Sequence, residues 1–568
     1  MKLSRLLGER YKEKPAEAFL ASHIFMLRGG YIRQVTNGVF TLLNPAKRII
    51  KKIEQIIRDE MDLIDGQEVL FPVTLPAELW NESGRFESVG SELLRFKDRT
   101  DKDMLLAMTH EEAAVHLART EAKSYVKYPF MLYQIQTKFR DEPRARAGMV
   151  RVREFTMKDA YSFHQNQECL EEYYETAYKA YERIFKRVGL SDFIAVKSDS
   201  GMMGGKVAHE FMYLSDGGED SLVVCDTCGY SSNMEVALGV PPVANSPSDE
   251  HALTPIHTPN IKTIDELAAF LKVPHPQTIK AALFIRKDTQ KPLVVFIRGD
   301  LEVNEFKLKN IIKSEVQAFE SNVSENKMGG LCLGFIGPKS LEADVQVYFD
   351  KSLEGLENLV AGANKEDCHF TGFSVARDVG AVEFSDISKV VEGDCCVTCN
   401  APLKISRGIE IGNIFQLGDK YTKSMNMTYT DIDGTLKTPI MGCYGIGVGR
   451  LFACILENHH DEYGPIWPKA VAPWDIHICM LNGNIPEIRD AAFELYNKLS
   501  QKYEVIIDDR NLNAGIQFAD ADLLGIPLRI ILSKRNMENG EVELVSRDKS
   551  FKKTVKIENV CEQIDAQP

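Results

Sequence analysis

Five arginines, Arg140, Arg144, Arg146, Arg151 and Arg153, crowd the segment YPFMLYQIQTKFRDEPRARAGMVRVREFTMKDAYSFH between Tyr128 and His164. Cations at this density on a core sheet call for an anion to neutralise them. A polyphosphate is the simplest candidate, because guanidinium forks hold phosphate or carboxylate bidentately. In the same segment Glu142 can accept from an amine such as adenine's, and the Phe155 ring can stack on a base. A solvated hairpin with ion pairs among its own residues would have the same composition. The segment alone leaves both readings open.

Three further clusters have chemical potential. Met108-Thr109-His110-Glu111-Glu112 reads either as a helix start, with Thr109 as N-cap and Glu112 in the capping-box position, or as carboxylates placed to meet a cationic amine. Cys225-Asp226-Thr227-Cys228 and Cys396-Val397-Thr398-Cys399 are paired-thiol knuckles. Brought together they would make a four-thiolate zinc site, whereas apart they are reduced surface turns, and the adjacent Cys395 complicates the second knuckle. Gly442-Cys443-Tyr444-Gly445-Ile446-Gly447-Val448-Gly449-Arg450 precedes a helix. As a glycine turn it would let backbone approach a nucleotide and set Arg450 near a helix N-terminus, but it matches neither the dinucleotide-binding nor the P-loop spacing.

The elements that must position these residues follow from periodicity. The arginine-rich segment reads as a hairpin, with strands over Phe130–Ile135 and Met149–Met157. Residues 1 to about 65 are mostly helical in pattern, with a clear apolar stripe over Arg48–Arg58, followed by a strand at Glu68–Phe71 that stops at Pro72. Cys169–Val188 is an amphipathic helix, Gly201–Gly205 a glycine turn, and residues 241–259 a linker. From Ile264 to about Val391 the chain has its own α/β alternation, opened by the linker and bracketed by the thiol pairs, as an inserted domain would be. Gly408–Gly418 reads as two strand pieces split by glycines, and the last hundred residues as a small α/β domain with a mixed or parallel sheet.

At 568 residues the chain has room for three or four domains. Its 44% hydrophobic and 26% charged residues are those of a soluble globular protein, and the net charge of −14 argues against a general nucleic-acid coat while permitting a local basic face. There is no apolar run near the length of a membrane span, and the first residues are charged rather than signal-like, which predicts a cytoplasmic protein. Twelve cysteines in so long a chain fit reduced thiols.

Taken in order, SHIFMLRGGYIR, ELWNESGR, MTHEE, YQIQTKFRDE, REFTMKDAYSFH, GIEIGNIFQLG, MGCYGIGVGR and FADADLLGIP resemble the class II aminoacyl-tRNA synthetases, in particular the bacterial-type prolyl-tRNA synthetases. The resemblance covers essentially the whole chain. It implies an α+β catalytic domain with an antiparallel sheet (residues 1–224 and 406–472), an inserted α/β editing domain with flanking CxxC segments (225–405), and a C-terminal α/β anticodon-binding domain (473–568). It also implies that proline is activated with ATP and Mg2+ to prolyl-adenylate and transferred to tRNA(Pro) by a homodimer. Position by position, Arg140, Glu142, Arg151, Phe155, Gln416 and Arg450 would hold ATP, with Arg140 also on the proline carboxylate. Thr109 and Glu111 would receive the prolyl ammonium and Cys443 would border its pocket. Hydrolysis of mischarged alanyl-tRNA would depend on Lys280 and on the loop from Gly334 to Pro338, with Asp350 and His369 in register. Asn413 stands where the family usually has His, and Ala145 and Ala147 where Pro and Phe are commoner. The absence of a His/Cys zinc pattern in the catalytic part speaks against the threonyl enzyme. A synthetase-like RNA-binding protein without catalysis is the rival from another class.

Overall fold

A computed structural model of the chain describes residues 1–199, 201, 203–205, 207–242, 251–319, 327–328, 331–341 and 345–566. Met202 of the expected glycine turn and residues 243–250 of the expected linker lie outside them. Two compact units form: residues 1–195, 200–218 and 408–568 make one, and 196–199 with 219–407 the other. No helix among the described residues is long and apolar enough to cross a membrane.

The first unit is built on a largely antiparallel sheet. The elements that bear on the site, in chain order, are α1 (Asn44–Asp62), β1 (Gly66–Glu68), α2 (Glu111–Glu121), β2 (Phe130–Phe139), β3 (Glu154–His164), α3 (Gln167–Arg187), β4 (Val207–Leu214), β5 (Lys404–Gly418), β6 (Ile440–Gly447) and α4 (Val448–Asn458). Within the unit the strands run β4–β5–β6–β3–β2–β1, all antiparallel except the parallel β1–β2 edge. Strand alternation divides the side chains between two cores. Ile414, Tyr444 and Ile446 pack with Ile53, Tyr181 and Leu451 from α1, α3 and α4, whereas Phe415, Cys443, Tyr161 and Leu132 pack with Trp80, Met108 and Ala114. Leu132, Tyr161, Cys443 and Phe415 are successive partners across four strands, so one row of the sheet reaches the second core in register.

Several local expectations are corrected. The amino-terminal region holds a short hairpin, Ile32–Thr36 with Val39–Leu42, before the long helix. The strand expected at Glu68–Phe71 is β1, shorter and earlier, because Asp65 takes a left-handed φ of 58° that ends the helical turn and starts the strand at once. The second strand of the arginine hairpin begins at Glu154, not Met149: left-handed Ala147 and Gly148 and an isolated Arg146–Arg151 bridge hold residues 140–153 as a folded loop. Gly408–Gly418 lies within one strand, not two. The segment from Gly442 to Gly447 is likewise strand, with the helix starting at Val448, so it is no nucleotide-approaching turn. Its glycines serve packing: a Cβ on Gly445 would come within 2.7 Å of Asn413 Oδ1.

In the C-terminal part a five-stranded sheet has the order 505–508, 476–480, 528–532, 541–546, 552–556. The first three strands are parallel and the last two antiparallel. The second unit has a five-stranded sheet centred on Ile279–Arg286 and Pro292–Arg298, and a three-stranded sheet in which Thr254–His257 pairs with Cys368–Phe373. The tail of the expected linker is therefore a strand, paired through its backbone despite Pro255.

Candidate functional site

The second core of the first unit borders a buried acidic cluster at the start of α2. Thr109 does not cap this helix. His110 occupies the N-cap position without capping the helix through its side chain, which meets Pro72 O at 2.9 Å, while Thr109 Oγ1 donates to Glu111 Oε2 at 2.7 Å. Glu111 also accepts from Arg85 Nη1 at 3.3 Å and from the Cys443 thiol at 3.3 Å. Glu112 accepts from Arg85 at 3.1 Å and from Ser83 Oγ at 2.8 Å. Arg85 lies over the Trp80 ring, 4.6 Å from its centroid. Two buried carboxylates thus share one guanidinium. Burial pushes the Glu112 and Cys443 pKa values up, with Glu111 adding to both.

A polar row lies one step along the sheet. Asp159 accepts from Tyr161 at 2.7 Å and Gln134 at 3.0 Å, and pairs with Lys138 at 2.7 Å. Tyr161 in turn accepts from the His110 amide at 2.8 Å. This buried network fixes the turn that presents Thr109 and Glu111. Burial and the nearby Lys138 lower the His110 pKa to about 4, so the ring is neutral at physiological pH.

The cationic end is carried by the loop after β2 and by α4. Arg140 sits over the Phe155 ring at 5.4 Å, its Nε donating to Met108 O at 3.4 Å. Burial lowers its pKa, partly offset by Glu410. Arg450 donates to Glu410 Oε2 at 2.7 Å and to Val150 O at 2.9 Å, and Asn413 Nδ2 donates to Glu410 Oε1 at 2.7 Å. Arg151 pairs with Glu142 at 2.9 Å. Burial opposes ionisation of Glu142, but Arg151 and the Arg144 amide hold it below the ordinary carboxylate range. Arg153 lies 3.6 Å from Asp141. Part of the positive charge is therefore met by the protein's own carboxylates, as the reading with ion pairs among the hairpin's own residues allowed.

The fold brings Thr109, Glu111 and Cys443 into contact, places Arg140 against Phe155, and pairs Arg151 with Glu142. Gln416 is set apart: its Oε1 accepts from Gln167 at 2.9 Å, at the start of α3. Alternation with Phe415 directs it to the helix-covered face. Sequence reasoning passed over Arg85, Lys138, Asp159 and Glu410. A usable signal existed for two of them, since Lys138 and Asp159 are charges within strands that carry apolar residues on both sides, and a charge at such a position needs a buried partner.

In the second unit Lys280, Gly334, Ile336, Gly362 and His369 line a cleft of about 100 Å3. Lys280 Nζ donates to Leu301 O at 2.8 Å and to Glu302 Oε1 at 2.7 Å. His369 Nδ1 and Thr258 Oγ1 are 2.7 Å apart, and burial lowers the ring's pKa to about 4. The loop from Gly334 to Pro338 is held by Asn364, which accepts from the Gly337 amide at 2.9 Å and donates to Gly337 O at 2.9 Å. Only glycine fits at Gly337, where a Cβ would fall 1.6 Å from Gly362 O. Pro338 is buried in this loop and is not among the cleft's lining residues. Asp350 does not line the cleft either. It is fully buried and accepts from the Ser352 amide at 2.9 Å and from those of Ile387 and Ser388 at 2.8 Å.

In the same unit Cys225, Cys228, Cys396 and Cys399 converge, their sulfurs all within 4.8 Å of one another. Cys395 stands outside the group, its backbone paired in both directions with Val240.

Comparison with known proteins bears on the family and the fold. Residues 94–459 match the tRNA synthetase class II core domain (G, H, P, S and T), and residues 475–567 an anticodon binding domain. The chain is 44% identical to the proline–tRNA ligase of Bacillus subtilis (strain 168) over 568 residues, 100% of both chains. It is 43% identical to that of Syntrophus aciditrophicus (strain SB), over 99% of this chain and 97% of the relative. The solved prolyl-tRNA synthetase from Cryptosporidium parvum, complexed with halofuginone and AMPPNP, has a similar fold, with a TM-score of 0.57 at 12% identity, covering 96% of this chain and 76% of that one.

Proposed function

The chain belongs to the class II aminoacyl-tRNA synthetases, in their proline–tRNA ligase family, and from that premise we propose how its residues divide the work. As an ATP-dependent ligase it must bring a zwitterionic amino acid against the α-phosphate of ATP. The observation that carries the assignment is the charge arrangement of the pocket: Glu111, held by Thr109, Arg85 and Cys443, faces the ammonium of proline. Arg140 holds the carboxylate and the α-phosphate. The carboxylate oxygen attacks phosphorus in line, the bond to pyrophosphate breaks, and prolyl-adenylate forms. Positioning two anions and offsetting charge at the reacting phosphorus is most of the catalytic task. Phe155 stacks on adenine, Glu142 accepts from its amine, and Arg151 and Arg450 take the remaining phosphate charge. Glu410, between Arg450 and Asn413, is an oxygen donor of the kind magnesium accepts, so the donor set fits a Mg2+ carried with the nucleotide. When bound, Mg2+ supplies neutralisation of the phosphates.

The prolyl group then passes to tRNA(Pro), whose anticodon is read by residues 473–568, with the catalytic domain formed by 1–224 and 406–472. Residues 225–405 hydrolyse mischarged alanyl-tRNA. Alanine is smaller than proline and enters any pocket that admits it, and missing methylenes give only about 1–3 kcal/mol of discrimination each. A cleft of about 100 Å3 bearing Lys280 suits a small side chain and an anionic RNA end. The enzyme works in the cytoplasm as a homodimer. For the dimer, β1 is an edge strand flanked by Leu63 and Leu70, 70% and 73% exposed. ATP/pyrophosphate exchange across all twenty amino acids tests the assignment: proline should dominate with weaker alanine activity. No activation by any amino acid would leave an RNA-binding relic.

A further inference from the structure

We propose that Cys225, Cys228, Cys396 and Cys399 hold a structural zinc ion that fastens the beginning of the second unit to its end. The sulfur geometry is the first argument. Cys225 Sγ lies 3.5 Å from Cys399 Sγ, and Cys228 Sγ 3.7 Å from Cys396 Sγ. A disulfide would require about 2.05 Å, while the edge of a tetrahedron with Zn–S bonds of about 2.3 Å is roughly 3.8 Å. All twelve cysteines are free thiols, so none of the four is engaged elsewhere.

The backbone supplies a second, independent argument, because the two knuckles repeat each other bond for bond. In the first, the Gly229 amide donates to Cys225 O at 3.0 Å and the Cys225 amide to Tyr230 O at 2.8 Å. In the second, the Asn400 amide donates to Cys396 O at 2.8 Å and the Cys396 amide to Ala401 O at 2.8 Å. The residue after the second cysteine is left-handed in both, with φ of 75° at Gly229 and 61° at Asn400. The Thr398 amide also points at Cys396 Sγ, at 3.4 Å, as it would toward a thiolate carrying charge. Two matching turns that aim four sulfurs at one point form a closed ligand set with no open position, which marks a structural rather than a catalytic ion.

The apolar support beneath is small: Val223, Met234, Ala237, Val390 and Leu403 with Cys225 and Cys396. Metal coordination between the two ends would add to that support, because the binding free energy of a site absent from the unfolded chain is folding free energy.

The test is elemental analysis of the full chain purified without chelator, with four variants alongside. About one zinc per chain is expected in the natural sequence and in Cys395→Ser, and none in Cys228→Ser or Cys399→Ser, whose sulfurs are exposed. Cobalt replacement should give the visible absorption of tetrahedral thiolate coordination. Proline-dependent exchange should persist in both zinc-free variants, while protease resistance of residues 219–407 falls. A metal-free natural protein, zinc retained in Cys228→Ser and Cys399→Ser, or an octahedral cobalt spectrum would each overturn the assignment. Because Cys228→Ser could misfold for other reasons, Cys225→His serves as the fourth variant: it should keep zinc, and loss of zinc with retained fold there counts against the site.

Discussion

Arg85 and Glu112 form a buried ion pair, 3.1 Å between Nη1 and Oε1, beside the Glu111 carboxylate proposed to receive the substrate's ammonium. The pairing cancels one of the two adjacent charges and leaves Glu111 with the other. In Glu112→Gln, Arg85 turns its full charge on Glu111 and competes with the substrate. KM for proline should rise roughly tenfold, about 1.4 kcal/mol, with kcat little changed. Pyrophosphate exchange at varied proline measures it, and an unaltered KM would remove Glu112 from the pocket's electrostatics. Arg85→Met should instead cost about 3–5 kcal/mol of stability, since it strands two buried carboxylates.

Glu142 and Arg151 meet at 2.9 Å, so the contributions to nucleotide binding proposed for them should not add. A double-mutant cycle with Glu142→Ala and Arg151→Ala, read as KM for ATP, should give a coupling of about 0.5–3 kcal/mol. Additive effects would mean that the pair separates when ATP binds.

Lys280 and Asp350 should separate chemistry from scaffolding. Lys280→Ala should abolish alanyl-tRNA hydrolysis while leaving the unfolding of the second unit almost unchanged. Asp350→Asn weakens three backbone hydrogen bonds to a buried carboxylate and should lower that unit's stability by on the order of 3 kcal/mol. Calorimetry paired with a deacylation assay distinguishes them; equal destabilisation by both variants would make Lys280 a structural residue.

Burial lowers the pKa of His110 and His164 to about 4, and that of His477 to about 3. In the unfolded chain these rings take up protons near the ordinary value of 6.5, so the unfolded state binds more protons below that pH. Stability from the three neutral rings is fully present above pH 6.5 and is lost progressively as pH falls toward 4. Urea midpoints at pH 7.5, 6.0 and 5.2 should decline, and His477→Leu should flatten the decline. A midpoint constant over this window would contradict the burial of these rings.

Much of this architecture is legible in the residues. The stripe on Arg48–Arg58, the helix after Asn166 and the alternation of the last hundred residues all survive, because each rests on a periodicity that packing reinforces. Where reading fails, long-range contact decides. Thr109 followed by Glu112 is a sound capping box locally, yet the hydroxyl turns to Glu111 because Arg85 and Tyr161 rebuild that turn from distant segments. Glycines at 442, 445 and 447 suggest a turn, but they lie on a central strand, where those at 442 and 445 make room for neighbouring side chains. The alignment of four cysteines was visible as spacing, and only the fold could supply their proximity.

The strand order has a consequence for synthesis. β6, which joins β3 to β5 at the middle of the sheet, begins only at Ile440, whereas β3 is complete at His164. At ribosomal rates of about 5–20 residues per second, the nascent chain must wait roughly 15 to 55 seconds between these points. Throughout that interval β3 offers an unpaired edge, a template for aggregation that chaperones or slow local pairing must cover. Translation speed across residues 165–439 should therefore govern the yield of this enzyme more than its final stability does.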